Sequence, residues 1–161
     1  MAKFKWLLLV IAALSFTAGQ PSFAEDRGKL LGIWQLAAFE VEYQAVGERE
    51  YPRGKNPTGF IIFSPEGRMT VLLTDEGRRA PKTDQDRSDL FGSMVAYTGM
   101  YRIDGEKWMT KVDVSANPAL VGTEQARSFR IDGNRLQEMT QWTARGEKGM
   151  GRAVITWERV K

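Results

Sequence analysis

From residue 32 onward, apolar and aromatic side chains recur at alternate positions in short runs, and each run stops at a cluster rich in Gly, Pro, Asp or Asn. Alternate side chains of a strand point to opposite faces, so this pattern predicts strands with one face turned to a core. The runs are 32–43, 59–64, 68–74, 97–103, 108–115, 122–131, 135–141 and 152–160. Turn chemistry joins most of them in sequence: Pro65-Glu66-Gly67, Asp104-Gly105, Asp132-Gly133-Asn134 and the Gly-rich stretch 145–151. Two connections are longer. Residues 45–58, polar and containing Gly and Pro, read as a mobile loop. Residues 75–89 carry mixed charge and read as a solvated loop leading into a short helix over 87–95, between the third and fourth strands.

Eight antiparallel strands in sequential hairpins have one economical arrangement, an up-and-down barrel, because closure removes the exposed edges of the sheet. The expected fold class is all-β: an eight-stranded antiparallel up-and-down barrel with one short helix. A two-sheet sandwich is the alternative. A barrel of this size is either filled by its own side chains or holds one small ligand.

The start of the chain breaks the pattern. Lys3 and Lys5 precede an apolar run over 6–13, and small and polar residues follow up to Ala24, which is the order of a cleavable export signal. Ser22 and Ala24 supply the small side chains a signal peptidase needs, so the cut is expected after Ala24, leaving a single domain over 25–161. The apolar run is short of the roughly twenty residues that span a bilayer. No cysteine follows it to take a lipid, so no stable membrane anchor is expected after cleavage. The expected compartment is the periplasm or the cell exterior.

Cleavage changes the charge picture. It would leave 137 of 161 residues, with 21 of the 23 Lys and Arg against 20 Asp and Glu, so the formal charge falls from +3 to +1. A nearly neutral domain without a basic block is not expected to bind nucleic acid. The chain has no His and no Cys, which excludes the usual zinc sites, Ser-His-Asp triads, Cys nucleophiles and disulfides. No metal or cofactor is expected, and any catalysis would run on carboxylates, Tyr, Lys or Arg.

Parity selects the candidate site. In the run 122–131, Gln125, Arg127, Phe129 and Ile131 share one face, which turns Arg127 into the barrel; Tyr97, Tyr101 and Ile103 share a face, as do Ile155, Trp157 and Arg159. A buried guanidinium needs a carboxylate, a carbonyl, an aromatic face or a ligand. Arg159 is assigned a structural place, stacked on Trp34 to close one end of the barrel. For Arg127 two readings stay open: an internal network with Gln125 and Tyr101, or a site for an anionic group of a ligand. Glu40 and Glu138 are the carboxylates that could neutralise it from inside, with solvation the alternative for Glu40, which lies near a strand end.

Five ordered segments resemble one family: Leu31-Gly32-Ile33-Trp34-Gln35-Leu36, the hairpin from Gly59 to Met69, Tyr97-Thr98-Gly99-Met100-Tyr101, the run from Gly122 to Phe129, and Trp157-Glu158-Arg159. Together they are similar to the bacterial lipocalin-like domain family. The resemblance implies a calycin-type barrel with a cavity for small, mostly apolar molecules. It also implies that Gly32, Trp34 and Arg159 form the closure of the barrel base. Many members carry a His in the strand corresponding to 107–115; this chain has Lys111 there and no His.

Three functional readings follow. The leading one is an exported protein that binds a small hydrophobic or amphipathic molecule in the barrel, with Arg127, Gln125, Tyr97, Tyr101 and Glu138 as ligand-binding residues. The alternative is a filled, ligand-free barrel whose long loops bind a partner protein. Ranked last is an enzyme of isomerase, cyclase or hydratase type that uses Tyr or a buried Glu138 as acid or base; no catalytic residue is assigned.

Overall fold

A computed structural model of the chain describes residues 23–45, 47 and 49–161. The expected signal sequence therefore lies outside the described residues except for its last two positions. The elements are α1 (Phe23–Leu30), β1 (Gly32–Tyr43), β2 (Arg49–Glu50), β3 (Thr58–Phe63), β4 (Arg68–Thr74), α2 (Asp84–Gly92), β5 (Met94–Asp104), β6 (Lys107–Ser115), β7 (Glu124–Asp132), β8 (Arg135–Met139), β9 (Thr143–Ala144) and β10 (Met150–Arg159). Eight of the strands pair antiparallel in the order β1-β3-β4-β5-β6-β7-β8-β10, and the β1–β10 ladder closes the barrel. The sandwich alternative is thereby excluded.

Alternation carries through to packing. In β4, Met69, Val71 and Leu73 are buried while Thr70 and Leu72 face out. The same rule on the other strands brings Trp34, Phe63, Trp108, Leu136 and Trp157 into one core in which all five are essentially solvent-free. Edge-to-face contacts between Phe63 and both Tyr101 and Trp108, with ring centroids 5.1 and 5.2 Å apart, lock this layer.

One end of the barrel is a closed floor. Helix α1 ends with carbonyls that its own backbone cannot satisfy. Trp34 Nε1 donates to Leu30 O at 2.8 Å, and Arg159 donates to Leu31 O at 2.6 Å and Lys29 O at 2.5 Å. The Arg159 guanidinium lies over the Trp34 ring at 4.0 Å, so one cation serves both the aromatic face and the helix C-terminus, where positive charge is favoured. Gly32 has φ +118, and a Cβ there would stand 3.1 Å from Arg159 Nη1. Glycine is needed at that position for both its backbone angle and the close approach.

Several boundaries differ from the sequence expectation. The register of β1 slips between Leu36 and Ala38, and this bulge reverses the facing of everything after it. Glu40 consequently leaves the barrel interior for the outer face, where it stays 9% exposed, paired with Arg49 at 3.0 Å and accepting from the Tyr51 hydroxyl. The short helix was expected between the third and fourth strands over 87–95; it follows β4 and spans Asp84–Gly92. The two-residue β2 moves the strand count by one, and a capping box on Thr83, with Asp86 as its reciprocal partner, starts the helix earlier. Residues 45–58, expected as a mobile loop, contain β2. Glu76 accepts from Lys55 N, Asn56 N and Asn56 Nδ2, and Arg53 pairs with Asp75, which ties the segment to the end of β4.

Candidate functional site

The register of β7 builds the site. Arg127 lies opposite Trp108 and Gln125 opposite Thr110 on β6, while Phe129 lies opposite Glu138 on β8 and Ile155 follows on β10. Glu138 is thus set in an apolar row and is 4% exposed. Burial pushes its carboxyl up to about 7, only partly opposed by the Arg127 guanidinium and the Trp157 indole N–H. That N–H makes no hydrogen bond of good geometry. Burial likewise pushes the Tyr97 hydroxyl up to about 12 against the pull of Arg127, so Tyr97 is a neutral donor at any ordinary pH.

Arg127 is half-buried and has no ion pair among the described residues. Its Nη1 donates to Ala126 O at 2.9 Å and its Nη2 reaches Gln125 Oε1 at 3.5 Å. The expected network does not extend to Tyr101. That hydroxyl has no hydrogen-bond partner among the described residues, and Trp108 Nε1, Thr110 Oγ1 and Trp157 Nε1 share this state. A buried polar group left unpaired costs about 1–3 kcal/mol. This wall is therefore rich in unused donors, with one carboxyl half-neutral near pH 7.

The filled floor and these donors divide the interior. Toward the floor Trp34, Trp108 and Trp157 are fully buried; toward the other end, the upper chamber, Phe39, Val95, Gln125 and Arg127 are half-buried around the buried Tyr97. Two clefts reach this upper part. One, about 270 Å³, lies at the barrel mouth against Val95, Ala96 and Leu120. The other, about 340 Å³, is lined by 124–127 of β7 and by Thr140, Gln141, Thr143 and Arg145. A larger groove of about 500 Å³ runs outside the barrel between residues 75–82 and α2. Both signs of charge line that groove, which marks it as a solvated surface feature.

The second cleft is a gap in the wall. Strand β7 pairs with β6 over 124–128 but with β8 only over 128–132. Beyond Met139 the chain follows β10 instead: Thr140 N donates to Ala153 O at 3.0 Å, and β9 pairs with the start of β10. Phe129 N donates toward β6, so by alternation the Ala126 carbonyl faces the gap, and the Arg127 guanidinium folds back onto it where a strand partner is missing.

Of the five residues assigned to ligand binding, Arg127, Gln125, Tyr97 and Glu138 meet around the upper chamber, and Tyr101 stands below them against Thr110. Gly32, Trp34 and Arg159 lie together at the floor. Lys111 points outward, its ammonium donating to Gly122 O, and takes no part in the chamber. Sequence reasoning missed Trp157 and Trp108 as lining donors, and it missed Arg145, hidden in a Gly-rich connection.

Residues 31–160 match the family model of the lipocalin-like domain. No curated protein matches the chain. Among solved structures it is similar to an uncharacterized protein from Bacteroides eggerthii, at 13% identity and a TM-score of 0.42 over 81% of this chain and 99% of that one.

Proposed function

The chain belongs to the lipocalin-like domain family, and on that premise we propose that it binds a small amphipathic molecule in the upper half of its barrel, with the anionic end on Arg127. The observation that carries this reading is the charge state of the chamber. An inward guanidinium without an ion pair faces a carboxyl that burial pushes up to about 7 and a tyrosine that stays neutral. The chamber is therefore short of negative charge near neutral pH, and an anion supplies it. Gln125 and Tyr97 offer further polar contacts, while Phe39, Val95 and Ile155 face an apolar body. The export pattern of residues 1–24 supports action in the periplasm or outside the cell.

Native mass spectrometry of protein purified from its own source tests the proposal. A stoichiometric small acid released on unfolding supports it; a reproducibly ligand-free barrel contradicts it and favours the interaction-module reading. Glu138 supports a second reading, an acid–base enzyme of isomerase type, because its proton is exchangeable near neutral pH. Turnover of a bound molecule that survives Glu138→Gln would rule that out.

A further inference from the structure

Resting on the binding reading above, we propose that the wall gap between β7 and β9 is the ligand's head-group site and its way in, where an oxyanion is clamped between Arg127 and Arg145. Residues of both faces of β7 line this cleft: Gln125 and Arg127 from the inside, Glu124 and Ala126 from the outside. It therefore sits at the edge of β7 that β8 leaves unpaired, where the two faces of the wall meet. Its two cations have no carboxylate partner among the described residues. The one acid on its rim, Glu124, is held by both guanidinium nitrogens of Arg102. Thr140 Oγ1 donates to Gln141 O, Thr143 Oγ1 to Gly151 O and Gln125 Nε2 to Thr123 Oγ1, so the guanidiniums are the charged donors left to meet an anion.

The mouth is less suited to this task. Arg53 covers Phe39 at 5.1 Å and is itself paired with Asp75, and Leu120 packs onto the core there. At the wall gap, no backbone hydrogen bond between β7 and 140–145 has to break to admit a chain. An oxyanionic amphiphile, carboxylate or phosphate, would slide its apolar tail past Arg127 toward Tyr97 and Ile155 and leave its head between the two guanidiniums.

The test is calorimetric titration of the mature protein with decanoate and with decanol. Arg145→Glu is expected to weaken decanoate on the order of tenfold and to leave decanol within about twofold, while Arg145→Lys keeps most of the decanoate affinity. Arg145 is exposed, and retained decanol binding reports that Arg145→Glu is folded. Decanoate binding that falls in Arg127→Gln but is unmoved in Arg145→Glu would overturn the wall-gap site and leave the binding reading standing. Wild-type protein that binds neither probe would overturn both.

Discussion

Burial of Glu138 makes the stability of this protein depend on pH in a window where the chain has no His to titrate. In the unfolded chain the carboxyl has an ordinary value of 4.5, and in the folded barrel it is pushed up to about 7. The folded state holds the proton more tightly, so the contribution is full below 4.5 and is lost as pH rises through about 7. The gap is worth about 3 kcal/mol, a large share of a small domain's stability. The chain has no His, the side chain that ordinarily titrates between pH 5 and 8. Urea unfolding followed by tryptophan fluorescence reads the pH dependence, because Trp34, Trp108 and Trp157 pass from full burial to water. Wild-type stability should fall by about 3 kcal/mol across that span, and Glu138→Gln should be nearly flat and the more stable of the two at pH 8.5. A flat wild-type profile, or the same decline in Glu138→Gln, refutes the reasoning.

Other outcomes follow from the floor and the ladder. Arg159→Met removes the cation over Trp34 and the donors to Leu31 O and Lys29 O, and should lower unfolding free energy by about 2 kcal/mol in urea; unchanged stability would show that α1 is not held by this contact. Gly99→Ala drives a Cβ into the Lys111 carbonyl and the Val112 Cα across the β5–β6 ladder, so a loss of about 2 kcal/mol or more is expected, and a neutral effect would mean that the ladder yields at its register shift between Thr98 and Gly99. Gly32→Ala should act at the same floor, with amide exchange quickening in α1 before the rest of the barrel; uniform protection would contradict that local role.

Much of the barrel was legible because alternation and turn chemistry act locally. The limits of β1 and β4 follow from residue types alone, and the shared parity of Gln125, Arg127, Phe129 and Ile131 is the parity of β7. What was illegible depends on partners. The bulge after Leu36 has no sequence mark, so parity alone leaves Glu40 open to either face, and the structure turns it to Arg49 on the outer one. The run 135–141 reads as one strand, yet past Met139 the chain keeps β10 and loses β7, and nothing in the residues announces the lost neighbour. Arg145 stayed hidden for the same reason: its meaning comes from the gap that this change opens. The division into a filled lower half and a half-buried upper half rests on Trp34, Trp108 and Trp157 all being fully buried toward the floor, which a list of aromatic residues does not disclose.

The most direct test of the central claim is calorimetric titration of decanoate into wild-type protein and Arg127→Gln, with decanol as the uncharged control. The account predicts one site per barrel, decanoate weakened on the order of tenfold or more by the substitution, and decanol little changed. Equal decanoate affinity in the two proteins would contradict it, because the inward guanidinium would then have no part in holding an anion.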